Sequence, residues 1–260
     1  MAKFCPLFSG STGNCTYIGS SDGGILIDVG VSAKKVVTSL TDLDIPLETI
    51  KAIFVTHEHS DHASGIRVLA SKLKIPVYAS EGTLEGLESY YSAKDNIDSI
   101  VINAPVEAAG MLITQFKTSH DSRESCGYII NAGERSLAVC TDLGYVSEEV
   151  RQAITGCDLV MLESNHDVRM LQNGSYPYYL KCRVLGERGH LSNSACSDEL
   201  VKLVENGSTR LILGHLSREN NMPVLALETA RVCLNSAGMK EGTDYIISTA
   251  PVFGGKIIAL

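Results

Sequence analysis

The sequence predicts an α/β protein. Short apolar runs of the kind that form buried strands recur along the chain, and longer stretches with helical spacing alternate with them. The chain has 260 residues, 44% of them hydrophobic, which is enough to bury a substantial core, and no repeat, proline-rich linker or low-complexity run divides it. We therefore expect a single domain that spans residues 1–260.

The predicted strands are short and end at glycine or polar residues. In chain order they are Lys3 to Leu7, Thr16 to Gly19, Ile25 to Asp28, Ala52 to Thr56, Val77 to Ala79, Leu112 to Thr118, Cys126 to Asn131, Leu137 to Thr141, Leu159 to Glu163, Leu211 to Gly214, Tyr245 to Ser248 and Lys256 to Ala259. A tight turn at Ser9 to Asn14, with two glycines, joins the first two.

The predicted helices fill the intervals between these strands. They are Ser32 to Leu43, Gly65 to Lys74, Ser147 to Thr155, Asn193 to Asn206 and Pro223 to Ser236. In the fourth helix, Leu200, Val201, Leu203 and Val204 form an apolar stripe that is expected to face the core, and Gly207 follows where a left-handed residue commonly ends a helix.

Three of the seven histidines lie within one segment that directly follows a predicted strand. Its candidate metal ligands are His57, His59, Asp61 and His62. Imidazole and carboxylate groups are the usual ligands of Zn²⁺ and also bind Mn²⁺ and Fe²⁺. The pair His57 and His59 can face one metal position, while Asp61 and His62 face a second. The alternative is a histidine-rich surface loop that binds metal adventitiously.

Further ligands downstream argue against that alternative. His120, Asp142 and His215 each follow the end of a predicted strand. With the first segment they make a set of seven candidate ligands, which suits two metal ions better than one.

This series of motifs resembles the metallo-β-lactamase superfamily in its hydrolytic, two-metal form. The resemblance implies a four-layer αββα sandwich with the ligands along one edge. It assigns His57, His59 and His120 to one metal, Asp61, His62 and His215 to the other, and Asp142 to both. It also implies that a hydroxide bridging the two metals is the nucleophile.

Details of the motifs narrow the choice within the superfamily. Flavodiiron oxidoreductases carry glutamate where this chain has His59, and exported zinc β-lactamases carry cysteine where it has Asp142. Glyoxalase-like and lactonase-like enzymes tend to have Pro-Gly-His-Thr around the position of His120, where this chain has Thr-Ser-His-Asp. The phosphodiesterase branch therefore fits better.

Three motifs follow one another in the second half: Leu162 to Asp167, Gly189 to Asn193 and Gly214 to Arg218. Their order resembles that of the tRNA-processing nuclease RNase Z, and with the N-terminal Ser9 to Asn14 turn the chain looks closest to the YycJ/WalJ-like proteins. That family is implicated in nuclease activity on DNA. The comparison makes His190 a candidate proton or hydrogen-bond donor, with Glu163 as its orienting partner. The alternative for His190 is capping of the following helix. Asp61, His190 and Glu163 are the candidate catalytic residues.

Candidate substrate contacts flank these motifs. They are Ser11, Asn14, His166, Ser192, Asn193 and Arg218. The family resemblance implies digestion from a 5′ end. Its physical rationale is an expected pocket for a terminal phosphate, formed by the Ser9 to Asn14 turn and the Ser192 and Asn193 pair. His166 is interpreted as a substrate contact, a third-metal ligand or a structural residue.

The net charge of -8 is unusual for a nuclease, because phosphate contacts dominate affinity for nucleic acid. Cationic residues are expected to gather near the site: Lys117, Arg123, Arg169, Lys181, Arg183, Arg188 and Arg218. A solvated charged face is the alternative for this cationic patch. The nearby Tyr176, Tyr178 and Tyr179 either stack on unpaired bases or form a packed loop.

The remaining features indicate a cytoplasmic protein. The eight cysteines have no regular spacing, the N-terminus lacks the apolar region of a signal peptide, and no apolar run is long enough to span a bilayer. We expect a metal-dependent nuclease with two divalent ions that acts on DNA rather than RNA. The alternatives are a small-molecule hydrolase of the same fold and a non-catalytic regulatory or interaction protein.

Overall fold

The structure, a computed structural model, describes residues 1–90 and 97–260. The strands of the described residues form two mixed sheets. In chain order the strands are β1 (Lys3–Phe8), β2 (Cys15–Gly19), β3 (Gly24–Ile27), β4 (Ile50–Phe54), β5 (Val77–Ala79), β6 (Ser99–Val101), β7 (Val106–Ala108), β8 (Met111–Lys117), β9 (Cys126–Ala132), β10 (Arg135–Cys140), β11 (Leu159–Glu163), β12 (Arg210–Gly214), β13 (Ile246–Thr249) and β14 (Ile258–Ala259).

The helices lie between these strands. They are α1 (Ala33–Asp42), α2 (Ser60–Ala63), α3 (Ile66–Leu73), α4 (Glu81–Leu87), α5 (Glu148–Ile154), α6 (Val168–Asn173), α7 (Tyr178–Leu185), α8 (Asn193–Glu205) and α9 (Pro223–Ser236). The side chains of Ser32, Ser147 and Ser192 cap the first turns of α1, α5 and α8. All five predicted helices are confirmed within one residue at each end, and Gly207 beyond α8 has the expected positive φ of 99°.

The first sheet has the strand order β14-β1-β2-β3-β4-β5-β6, and the second has the order β13-β12-β11-β10-β9-β8-β7. Strands β3 to β6 are parallel, as are β10 to β13. Parallel strands end at the same edge of a sheet, so the loops that follow them lie side by side. The candidate metal ligands lie in these loops and in the loop after β8, which runs in the same direction as β10 because both strands pair antiparallel with β9.

Alternating side chains place each sheet between two apolar layers. In β3, Ile25 and Ile27 face the second sheet, whereas Leu26 faces the helices. Phe54 of the first sheet meets Tyr128 of the second edge-to-face, with ring centroids 5.7 Å apart. Helices α1 and α3 cover the first sheet, and α5, α8 and α9 cover the second. The predicted four-layer αββα sandwich is confirmed.

Of the strands and α-helices named above, six short ones were not predicted from the sequence. Strands β6 and β7 have three residues each and lie at sheet edges, where partial exposure weakens the apolar signal. Helix α7 carries Tyr178 and Tyr179, for which a packed loop was one of the two alternatives, and their side chains are 81% and 73% exposed. The interpretation of these two tyrosines as a packed loop is therefore wrong. The others are α2, α4 and α6.

Within the described residues, no helix combines the length and the apolar character needed to cross a membrane.

Candidate metal centre

The seven candidate ligands come together at one edge of the sandwich. The loop after β4 and the short helix α2 carry His57, His59, Asp61 and His62. His120, Asp142 and His215 follow β8, β10 and β12 of the second sheet. Both sheets therefore contribute ligands, because the strand ends that bear them meet at this edge.

One triad consists of three histidines. Single ligand atoms from His57, His59 and His120 all lie within 4.8 Å of one another. The distance from His120 Nε2 to His59 Nδ1 is 3.3 Å. Three imidazole nitrogens at such separations can share a single cation.

The second triad combines a carboxylate with two imidazoles. Ligand atoms of Asp61, His62 and His215 likewise lie within 4.8 Å of one another. Asp61 Oδ2 is 3.6 Å from His62 Nε2 and 3.5 Å from His215 Nε2. This set can hold a second divalent cation.

Asp142 lies between the two triads. Its Oδ2 is 3.2 Å from His62 Nε2, and its Oδ1 is 3.9 Å from His120 Nε2. Its Oδ1 also lies 3.5 Å from His215 Nδ1. A carboxylate that approaches side chains of both triads is placed to act as a bridging ligand.

Two buried atoms at the centre have no hydrogen-bond partner among the described residues: His57 Nε2 and Asp142 Oδ2. Leaving a polar atom buried and unpaired costs about 1–3 kcal/mol. A divalent cation would satisfy both atoms, and the nitrogen and oxygen donors around them suit such an ion. The residues present therefore fit divalent metal ions.

Electrostatic interactions keep the carboxylates of the centre ionised. Burial opposes ionisation of Asp142, but the neighbouring His215 and His62 side chains hold its pKa well below the usual value. Burial also opposes a charge on His215, yet Asp142, Asp61 and Glu163 raise its pKa to about 10. The site is thus organised around ionised carboxylates, and metal binding displaces protons from its histidines.

Three residues of this edge have left-handed backbone conformations: Asp28, Asp142 and His215, with φ of 60°, 61° and 53°. Such conformations in residues other than glycine cost about 1–3 kcal/mol each and are most accessible to Asn, Asp and His. Each residue follows a strand, so the positive φ turns its side chain into the site.

Asp28 is a site residue that the sequence reasoning missed. Its Oδ2 accepts hydrogen bonds from His62 Nδ1 at 2.8 Å and from the Thr56 hydroxyl at 2.9 Å, and its Oδ1 accepts from the Thr56 amide at 2.8 Å. These bonds fix the ring of His62 with Nε2 towards Asp61 and Asp142. The signal was available, because Asp28 follows an apolar strand just as Asp142 does.

Glu163 connects the centre to His190. Its Oε1 lies 2.8 Å from both His190 Nδ1 and His215 Nδ1, and its Oε2 accepts bonds from the amides of Leu143 and Leu191. Burial opposes its ionisation, but His190 and His215 lower its pKa to about 2. The sequence suggested the pairing with His190 only; the structure adds His215.

We predict that Glu163→Gln weakens metal binding as well as turnover. Glutamine accepts hydrogen bonds at one oxygen only, so it cannot accept from all four groups that bond to Glu163: the rings of His190 and His215 and the amides of Leu143 and Leu191. The ring of His215 then loses its fixed orientation. Loss of such a supporting contact typically lowers metal affinity about 10- to 100-fold. Titration against a competing chelator measures it. Glu199→Gln is the control, because Glu199 is equally buried but pairs with Arg151 and Lys202; an equal loss in both variants would contradict the prediction.

His190 does not cap the following helix, because Ser192 does so. Its ring centroid lies 5.0 Å from that of His120 and 5.3 Å from that of His215, so it borders both triads. Its Nδ1 is bound to Glu163, and Nε2 has no partner among the described residues. Nε2 is thus available to a ligand.

The candidate substrate contacts divide into buried and exposed residues. Asn14 is buried: its Nδ2 lies 2.9 Å from His62 Nε2, and its Oδ1 accepts from the Gly10 amide. Asn193 is also buried and bonded to Ser164 and Asn221. Both support the loops of the site from within. The exposed residues are Ser11 and Arg218.

Ser192 and His166 meet in an isolated backbone bridge. The His166 ring is buried, which lowers its pKa to about 4, and neither ring nitrogen has a partner among the described residues. His166 belongs to no group of three potential ligands within the described chain, so a third-metal role lacks support.

Several cations that were expected to face a substrate are already engaged. Arg123 pairs with Glu85, and Arg183 pairs with Asp121. The Arg188 guanidinium donates to the backbone oxygens of His120 and Ser122. These three of the seven expected cations therefore fasten the loop of His120.

Comparison with known proteins agrees with this geometry. A family described as "Beta-lactamase superfamily domain" matches residues 24–216. "Exodeoxyribonuclease YycJ" from Bacillus anthracis is 35% identical over 257 residues, which cover 98% of this chain and 97% of the relative.

Solved structures share the fold. The metallo-beta-lactamase fold protein YhfI from Bacillus subtilis has a TM-score of 0.74 at 17% identity, with 99% of this chain and 98% of that protein covered. Human tRNase Z, short form, has a TM-score of 0.64 at 16% identity, with coverage of 100% and 99%. The resemblance inferred from the motifs is confirmed: the chain belongs to the metallo-β-lactamase superfamily and, within it, to the family of YycJ/WalJ-like proteins.

Proposed function

We propose that the protein is a two-metal phosphodiesterase that digests DNA from the 5′ end in the cytoplasm, and that both sheets form its single hydrolase domain. The observation that carries the proposal is the convergence of seven ligand-type side chains into two triads joined by Asp142. The name of the Bacillus anthracis relative supports DNA as the substrate class. The donors suit Zn²⁺ or Mn²⁺, and they are also compatible with Fe²⁺.

His57, His59 and His120 would hold one ion, Asp61, His62 and His215 the other, and Asp142 both. Bound there, a pair of divalent cations lowers the pKa of water towards neutrality and stabilises the charge that develops on a phosphodiester. Asp28 and Glu163 hold the rings of His62 and His215 in the orientation that this requires. The side chains of the centre therefore need no serine or cysteine nucleophile.

His190 is proposed to act on the phosphate or the leaving oxygen. Glu163 accepts a hydrogen bond from Nδ1, which fixes the ring and leaves Nε2 pointing away from that carboxylate. A protonated ring then donates from Nε2 to an oxygen that gains charge as the P–O bond breaks. Ser11, Ser192, His166 and Arg218 remain the proposed contacts to the rest of the substrate.

The proposal is tested by comparing linear with circular single-stranded DNA. We expect metal-loaded protein to release nucleotides from a 5′-labelled linear strand and to leave a circle of the same sequence intact. An RNA strand and a generic phosphodiester, included in parallel, define the substrate class. Asp142→Asn protein purified in the same way controls for contaminating nucleases. Equal cleavage of the circle and the linear strand would show endonuclease activity and contradict digestion from an end. Hydrolysis of the small phosphodiester alone would contradict nucleic acid as the substrate.

A further inference from the structure

A groove with a volume of about 740 Å³ is lined in part by Thr12 and Gly13 of the Ser9 to Asn14 turn. Pockets that hold ligands of drug size have volumes of roughly 300–1,000 Å³. Its lining includes three cationic side chains, Lys34, Lys35 and Arg218, and one carboxylate, Asp42. Lys34 and Lys35 were not singled out from the sequence, because more than 180 residues separate them from Arg218 in the chain.

The cations of this groove differ from the arginines around His120. The side chains of Lys34, Lys35 and Arg218 are exposed, and none of them makes an ion pair or a hydrogen bond within the described residues. Their charges are therefore free to meet an anion. In a chain with a net charge of -8, three unpaired cations around one groove are a local reversal of sign.

The groove also offers apolar surface. Phe253 lines it with a side chain that is 75% exposed, and the buried Phe8 lies in the same lining. An exposed aromatic ring beside unpaired cations is the combination that binds single-stranded nucleic acid, because bases stack on the ring and cations contact the backbone phosphates.

The groove adjoins the metal centre through two segments. Gly13 lines the groove, and the next amide, that of Asn14, donates to the Asp61 carbonyl oxygen at 2.8 Å. Arg218 lies three residues after His215. Residues that line the groove are thus close chain neighbours of the segments that hold the ligands.

We propose that this groove binds the single-stranded DNA substrate beside the scissile phosphate, with Lys34, Lys35 and Arg218 contacting phosphates and Phe253 stacking on an unpaired base. This inference rests on the proposed function and adds the path of the strand to it. Because stacking needs an unpaired base, the groove also predicts a preference for single strands over blunt duplexes.

The test measures binding of a cleavage-resistant phosphorothioate oligonucleotide to metal-loaded protein by fluorescence anisotropy. The double variant Lys34→Ala/Lys35→Ala is expected to reduce the slope of log K against log salt by about 0.7 for each lysine lost. Phe253→Ala is expected to raise the Kd for single strands about 5- to 150-fold, the usual contribution of one stacked base. Phe253→Trp, which keeps an aromatic face, is expected to restore tight binding.

The matched control is Lys72→Ala/Lys240→Ala, which removes two exposed lysines outside the groove. Metal content and thermal unfolding show whether each variant is folded. Groove variants that keep the wild-type Kd and salt slope would contradict binding of the strand in the groove. An equal loss of affinity in the control variant would also contradict it. Binding that depends on the groove in a wild-type protein that fails to cleave DNA would instead refute the nuclease proposal alone.

Discussion

Asp142→Asn is expected to lower the rate of DNA cleavage by about 10³-fold or more. Asp142 is the one carboxylate that contacts members of both triads among the described residues, and an amide keeps its shape while removing its charge. A bound cation supplies several kcal/mol of transition-state stabilisation, and each ~1.4 kcal/mol lost is a tenfold reduction in rate. Single-turnover cleavage of a 5′-labelled strand measures the effect.

The control for this variant is Asp158→Asn, which removes a carboxylate that pairs with Arg135 at the opposite end of β10. It is expected to retain wild-type cleavage. Near-wild-type cleavage by Asp142→Asn at saturating metal would contradict the bridging role.

His190→Ala is expected to slow cleavage about 10²- to 10⁴-fold while both metals stay bound, the range typical of general acids and oxyanion donors. The His190 ring borders both triads but is tied to Glu163 through Nδ1, so its removal should spare the ligand atoms. Cleavage kinetics together with metal content measure the two effects separately. Loss of metal in His190→Ala would make His190 a ligand.

Two further variants separate the possible roles of His190. His190→Gln keeps a hydrogen-bond donor but not a transferable proton, so partial recovery would indicate electrostatic stabilisation rather than proton transfer. Combining His190→Ala with Glu163→Gln should cost less than the sum of the separate losses in rate, because the two residues act as a unit. Additive losses would contradict their coupling.

The fold was largely predictable because its long elements carry strong local signals. Strands such as Leu159–Glu163 and helices such as Pro223–Ser236 were predicted with their observed bounds. The three-residue edge strands β6 and β7 were not, since partly exposed runs of this length have no distinctive period. Helix α7 was missed because its exposed tyrosines hide the helical pattern.

The metal centre was predictable to the extent that its residues are chemically distinctive. Histidine and aspartate residues that follow a strand are recognisable as candidate metal ligands from their type and position. Asp28 obeys the same rule but stands alone in its segment, with no histidine beside it. Glu163 contacts both His190 and His215 because the fold brings their two rings to the same carboxylate oxygen. Spacing along the chain does not specify this arrangement. Lysines and phenylalanines of the groove are too common to mark a site before folding brings them together.

The number of metal ions bound at saturation tests the central claim most directly. Elemental analysis of the purified chain after equilibration with excess Zn²⁺ or Mn²⁺ and removal of free ions is expected to give two ions per chain. His57→Ala, which removes a ligand from the first triad only, is expected to give one. Wild-type protein that holds a single ion under these conditions, with no capacity for another, would contradict the two-metal account.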